Sequence, residues 1–413
     1  MLRFVKRRTA PNAYDKARIV ISRARPTFSL PELARTLRVA GDGHEHGTLR
    51  RDLAAYLGAA DVILTGSGRA GLFAILRAVG RRRVVVPAYT CNAVVEAAML
   101  AGCEISYVDC APDSFQTDPS ALVRALDDDA VYVATHQFGL PCAIEEIVRV
   151  CHDHGTLVIE DCAASLGTRI DGRLTGTFGD AAFFSFDMSK LLTVPLKGGA
   201  VVASDPSLLA AISRAHDEST EALPKRVEMR SLAMGAALLT LQHPTLYRAF
   251  HRKRFPPGGA FTAEAPLRTV EFGPYYRYTM SDAQAYVVHA QLARIDALIA
   301  ERRALYAFYR RALTPATGFS LPPADEHGEW APIRFPIRVH GDKLEFYREA
   351  ARRGVDFAFS FTFIEAPSSY TEAHARAREV LDLPFYSGLT APRRQQVVDT
   401  VLAVDRHLSR AGC

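Results

Sequence analysis

TLVIEDCAASLGTRIDGRLTGTFGDAAFFSFDMSKLLTVPLKGGAVVAS, residues 156–204, holds three short runs rich in β-branched and aromatic residues: TLVIEDC (156–162), AAFFSF (181–186) and AVVAS (200–204). Runs that stay apolar throughout are the pattern of strands covered on both faces. Upstream, VVVPA (84–88), ISYVDC (105–110) and AVYVATH (130–136) repeat the pattern, separated by amphipathic helical stretches such as NAVVEAAMLAG and IEEIVRVCHDHG. The alternation from Asp61 to Ser204 predicts an α/β fold with a mostly parallel central sheet and helices on both sides. Beyond it, Ser281 to about Leu313 spaces apolar residues three and four apart, as one long helical pattern with Ser281 as N-cap. After a Pro/Gly-rich break at 314–328, IRFPIRV and VDFAFSFTF read as strands and PRRQQVVDTVLAVDRHL as a helix. We expect an N-terminal arm (1–48), a large domain (49–295) with an insertion at about 218–272, and a smaller C-terminal α+β domain (296–413).

Composition agrees with a globular chain. Of 413 residues, 48% are hydrophobic, enough for a large core, and the net charge of +5 suits an anionic ligand without requiring one. No finger, basic zipper or RNA-binding signature accompanies that charge, so nucleic acid is not an expected partner. Seven cysteines are dispersed without a C-x-x-C pair, which reads as reduced and cytoplasmic. The basic start, MLRFVKRR, lacks the apolar segment of a secretory signal.

Three stretches carry chemistry. In GDAAFFSFDMSK (179–190) a lysine stands five residues after Ser185, just past an apolar strand. That is the edge where open α/β sheets place ligands, and desolvation there lowers an amine's pKa and frees it for imine chemistry. A solvated loop lysine is the plainer reading. In VIEDCAAS (158–165) Asp161 closes a strand, where an acid needs a partner or a helix to cap. In TGSGRAGLFAIL (65–76) the amides of Gly68, Arg69 and Ala70 open a helix and suit a phosphate, although such a turn also serves as a tight connection.

In this order, the three stretches resemble the DegT-type aminotransferases, pyridoxal-phosphate (PLP) enzymes of fold type I. The resemblance runs from about Pro26 to Leu408 and includes SGRAGLFAIL (67–76), VVVPAYTCNAVVEAAMLAGCEISYVD (84–109), HQFGLP (136–141), MSDAQA (280–285) and VLDLPFYSGLT (380–390). It implies PLP as cofactor, Lys190 as its Schiff-base lysine and proton shuttle, and Asp161 as partner of the pyridine nitrogen. Ser185 and the Gly68 and Arg69 amides would hold the phosphate. It further implies transfer of an amino group from glutamate or glutamine to a nucleotide-linked keto sugar, by a homodimer with its active site at the subunit interface.

Departures from the family pattern bear on the substrate. Cys91 stands where an aromatic usually stacks on the cofactor, leaving Tyr89 as a displaced substitute. Ala164 replaces a Gln or His, and Lys197 replaces an acid before Gly-Gly. YRYTM (276–280) places Arg277 where the family has an asparagine that reaches the neighbouring subunit's cofactor phosphate; a surface arginine is the alternative. Other chemistry on the same fold, with a substrate such as a lipid-linked one, or a non-catalytic member, are the competing readings. Dehydrating relatives replace the lysine by His, so Lys190 favours transamination. His136 reads as a structural donor. No metal site is expected.

SLAMGAALLTLQHPTLY (231–247) has no charged residue and precedes RAFHRKRF (248–255). Seventeen residues of helix reach about 26 Å, short of a hydrocarbon core of about 30 Å, so this segment does not span a bilayer. It either packs on the protein or lies on a membrane with Leu232, Leu238, Leu239 and Leu241 inserted and Arg248, Arg252, Lys253 and Arg254 meeting phosphates.

Overall fold

The fold is seen in a computed structural model that describes residues 20–254, 267, 270–314 and 317–411. Its centre is a seven-stranded sheet. The strands are β1 (Ile63–Thr65), β2 (Arg83–Pro87), β3 (Glu104–Val108), β4 (Ala130–Thr135), β5 (Leu157–Asp161), β8 (Ala181–Ser185) and β9 (Gly199–Ala203), with a small hairpin, β6 (Arg169–Ile170) and β7 (Arg173–Leu174), between β5 and β8. Their order is β1-β9-β8-β5-β4-β2-β3, and β9 alone runs against the rest. The expected mostly parallel sheet is present; β1 is an addition, three residues long and too short to stand out in the sequence.

Alternation explains why these strands read as uniformly apolar. Val84, Val86, Val131, Val133, Ile159 and Phe183 face one side, in a core shared with helices Gly68–Val79 and Asn92–Leu100. Val85, Tyr132, Ala134 and Val158 face the other, against helix Ile144–Asp153. Both faces of the central strands are covered, so most of their interior positions are apolar.

The predicted long helix is two, Asp282–Leu292 and Ile295–Ala312, and Ser281 caps the first in a capping box with Gln284. A second sheet orders β10 (Phe319–Ser320), β11 (Phe335–Val339) and β12 (Val380–Leu383), all antiparallel. VDFAFSFTF is not a strand. It makes only isolated bridges at Val355 and Ala358, because Phe361 takes a left-handed φ of 48° that breaks extension. The sheet's third strand is VLDL instead.

One face of the insertion packs on the protein, which takes Leu232 and Leu239 out of the set of leucines read as lipid-facing. Leu232 of helix Lys225–Leu241 is buried with Phe28 and Leu33, and Leu239 packs on the same core. Gly235 is required there, since a Cβ would lie 2.7 Å from Pro195 Cγ. The following helix, Pro244–Arg254, sends Tyr247 into the core around the second sheet. The basic start MLRFVKRR lies outside the described residues, as do the side chains of Arg252, Lys253 and Arg254. No helix among the described residues is long and apolar enough to cross a membrane.

Asp356 ties three distant segments together. Its buried carboxylate accepts Arg23 Nε at 2.7 Å and Nη2 at 2.8 Å, Tyr247 OH at 2.6 Å and Tyr347 OH at 3.0 Å. Backbone bonds add to the join: Ile21 donates to Gly354, and Asp356 donates to Ile21. Asp356→Ala removes the common acceptor from one cation and two phenols. It should lower unfolding stability by about 3 kcal/mol, measured by urea denaturation, because breaking a buried ion pair strands its partners.

Candidate active site

β4, β5 and β8 end side by side, at Thr135, Asp161 and Ser185, and the helix starting at Gly68 points its N-terminus toward the same edge. A cavity of about 220 Å³ opens there, lined by Gly68, Arg69, Cys91, Asp161, Ser185 and Lys190 among others. Six of the seven residues singled out from the sequence thus meet in one place. Arg277 does not: it is exposed at the end of the short helix Pro274–Arg277 and lines no part of this cavity. A larger cavity, about 620 Å³, lies at the opposite edge of the sheet. Its charged lining consists of the Arg50–Asp61 ion pair and Arg214, a poor set for chemistry.

Asp161 is the last residue of β5 and only 5% exposed. Its Oδ1 accepts the Ala163 amide at 3.0 Å, closing a turn; no helix follows, so it is not a helix cap. Burial pushes its carboxyl up, and the nearby Lys190 charge opposes that shift. Lys190 sits at the end of a tight turn in which its amide donates to the Asp187 carbonyl at 2.9 Å. Desolvation lowers its amine, with Asp161 pulling the other way. A neutral amine is the nucleophilic form, so this environment favours imine chemistry.

The helix N-terminus supplies two amides for an anion. Ala70, expected to contribute a third, is already used: its N–H donates to Ser67 Oγ at 3.1 Å, the helix N-cap. Gly68 and Arg69 keep theirs, and Ser185 lines the cavity beside them. The Arg69 side chain turns to Glu96 and lies 5.5 Å from the Tyr275 ring centroid. Lys197 pairs with Asp187, its Nζ 4.9 Å from the same ring. Residue 187 therefore holds the acid that balances the lysine before Gly-Gly.

Cys91 lines the cavity from the N-cap position of helix Asn92–Leu100, as part of its wall. Tyr89 is not a substitute for the missing aromatic: it is fully buried, its OH donating to the Ser360 carbonyl at 3.3 Å. The aromatic lining comes from Phe138, Phe183, Phe359 and Phe361. Phe138 and Phe361 both have left-handed backbone, φ 62° and 48°, and their rings stack at 5.9 Å. Phe138 lies in the HQFGLP stretch, whereas nothing in the local sequence announces Phe361. Gln137 and Arg334 also line the cavity unforeseen; the HQFGLP stretch pointed near the first.

His136 is structural. Fully buried, its Nε2 meets Glu160 Oε2 at 3.1 Å while Nδ1 accepts the Cys142 amide at 3.2 Å, so both ring nitrogens are engaged by the protein. Glu160 also accepts the amides of Gly176, Phe178 and Gly179. Although Cys162 lies close to this pair, its neighbours' lone pairs are spent on the protein.

Gly199 sets the position of the turn that opens the Gly68 helix. A Cβ there would fall 2.6 Å from Ser67 C and 2.7 Å from Gly68 N, both backbone atoms that cannot swing aside. Gly199→Ala should therefore displace the turn, costing about 1–3 kcal/mol of stability by denaturant titration and weakening phosphate-ligand binding at the Gly68 and Arg69 amides.

The DegT/DnrJ/EryC1/StrS aminotransferase family model matches residues 29–402. Protein MosB of Rhizobium meliloti is 33% identical over 162 residues, 38% of this chain and 32% of that protein, so the match spans about a third of MosB. Among solved structures, the aminotransferase TlmJ of Streptoalloteichus hindustanus superposes with a TM-score of 0.73 at 22% identity, covering 94% of this chain and 100% of that one. The PLP form of the putative sugar aminotransferase Spr1654 of Streptococcus pneumoniae gives 0.72 at 19%, covering 94% and 99%. With a family match over most of its length and a fold to go with it, the chain belongs to the DegT/DnrJ/EryC1/StrS aminotransferases and is a PLP-dependent aminotransferase of fold type I.

Proposed function

We propose that this enzyme moves an amino group from glutamate or glutamine to a nucleotide-linked keto sugar, acting as a homodimer. The observation that carries the reading is the meeting of Lys190 and Asp161 in one cavity with the free amides of Gly68 and Arg69. PLP fits this donor set. The cavity wall holds a buried acid in need of a cation, a desolvated amine, and a turn so close-packed that a Cβ at Gly68 would lie 3.0 Å from Ser185 Cβ.

When bound, PLP supplies an aldehyde for amines and a ring that accepts electron density. Asp161, at the end of β5, would keep a proton on the ring nitrogen, because a desolvated carboxylate gains most from a cationic partner. Lys190 Nζ would hold the cofactor at rest, then take the proton from the donor's α-carbon and return it on the way to product. Ser185 Oγ and the two amides would fix the phosphate. Phe138 and Phe361 exclude water and offer flat apolar faces on which a sugar ring can rest. Similarity to a putative sugar aminotransferase supports the acceptor class.

Lys190→Ala should abolish turnover, and borohydride reduction of the wild type followed by peptide mass mapping should place the pyridoxyl label on the peptide containing Lys190. A label on another lysine contradicts the assignment. Arg277, exposed in the single chain, would reach the phosphate of the partner's cofactor. Arg277→Ala should raise the PLP dissociation constant about tenfold in an equilibrium titration, the effect of losing one charge-assisted contact; an unchanged constant removes the trans role.

A further inference from the structure

Between Lys225 and Arg254 the sequence carries seven cations and one acid, a larger excess than the net charge of +5 of the whole chain. The acid, Glu228, is buried and paired with Lys225. The middle of the stretch, 231–247, has no charged residue, so the cations stand at the two ends of an uncharged span.

Helix Lys225–Leu241 buries Glu228, Leu232 and Gly235, which share one side. At 3.6 residues per turn the opposite side carries Arg226, Arg230, Ala233, Met234, Ala237 and Leu241. Met234 is 54% exposed, and neither Arg226 nor Arg230 has an ion-pair or hydrogen-bond partner among the described residues. Past the elbow at Gln242 and His243, helix Pro244–Arg254 turns Tyr247 inward and leaves Leu246 44% exposed. Helix Leu30–Arg35 lies alongside and lays Leu33 against Gly235. Leu30 and Leu37, three residues before Leu33 and four after it, are 51% and 68% exposed, and Arg35 and Arg38 are exposed with them. The one acid of that helix, Glu32, is spent on the Ser29 cap and on Arg294.

We infer that this outward face docks on an anionic phospholipid bilayer. The helix Lys225–Leu241 lies in the headgroup plane, Met234 and Leu246 reach the acyl-chain boundary, and Arg226 and Arg230 meet lipid phosphates. The stretch Leu30–Arg38 widens the contact with the same mixture of leucine and arginine. An uncharged span flanked by cations is what an interfacial helix needs, with apolar side chains at the acyl boundary and positive charge at the headgroups. A second copy of this chain is a poorer occupant, because a two-fold contact sets the face against itself, arginine opposite arginine, with no acid on it to pair. None of these residues lines the cofactor cavity, so docking is separate from the chemistry and independent of which substrate is aminated.

Flotation of the full-length, PLP-loaded protein with vesicles tests the inference. Vesicles of phosphatidylcholine mixed with phosphatidylglycerol should carry the protein, and pure phosphatidylcholine should carry little. Raising salt from about 0.1 M to about 1 M should release most of it, since the screening length shortens from about 10 Å to about 3 Å. Arg226→Gln combined with Arg230→Gln should weaken partitioning roughly 25-fold, about fivefold for each arginine. Met234→Gln combined with Leu246→Gln should weaken it about tenfold. Both variants should keep the PLP content and circular dichroism of the wild type. Equal partitioning onto the two kinds of vesicle, or onto neither, overturns the docking, as does an arginine variant that floats as well as the wild type. Full binding by the apolar variant leaves only an electrostatic contact and overturns the inserted face. A wild type that does not float, but whose mass by light scattering falls in the apolar variant, shows the face covered by a second copy and ends the lipid role.

Discussion

Lys190 and Asp161 are opposite charges kept out of water at one edge of a sheet, and each is pushed toward its neutral form by that burial. Left to themselves they are a cost, since a desolvated pair regains only part of its lost hydration. The surrounding structure exists in large part to hold them there. Parallel strands bring three chain ends to the same edge, and Gly199 lets the phosphate turn approach β9 closely enough to close the cavity. On the proposed reading, bound PLP would turn the cost into function, with Asp161 as partner of its ring nitrogen and Lys190 as the neutral amine for its aldehyde.

The half of the site on the large sheet was legible in the sequence for a physical reason. Lys190, Asp161, Ser185 and the Gly68 and Arg69 amides stand at strand ends or at a helix start, where the change from apolar run to polar residue marks position. The sheet was legible for the same reason, because strands covered on both faces must be apolar throughout. What escaped was set by long-range contact. Arg334 becomes a cavity residue only through Asp382, and Phe361 only by leaving the extended conformation that its apolar neighbours suggested. VLDL stood out in the sequence only for its family resemblance; as β12 it carries Asp382, the acid that anchors Arg334.

The insertion shows the same limit. Its leucines lie in an uncharged stretch, and composition could not distinguish lipid from protein as their partner. Contact decides for one face: Gly235 against Pro195, Leu232 beside Phe28, and Tyr247 on Asp356. The Asp356 cluster thereby joins the insertion, the N-terminal segment and the region around the second sheet, the side from which Arg334 enters the cavity.

The replaced residues, Cys91, Ala164 and Lys197, leave the amine and the acid in place. Lys197 is balanced by Asp187, so the charge beside the cofactor site is rearranged and not lost. The amine and acid that imine chemistry needs are therefore retained, beside a wall that includes Cys91, Ala164, Phe138 and Phe361. The most direct measurement of this account is the visible absorption spectrum of the purified, PLP-loaded protein before and after glutamate is added. The account predicts a visible band that falls on adding the donor and returns with a keto acid; a band that glutamate and glutamine both leave untouched would contradict it.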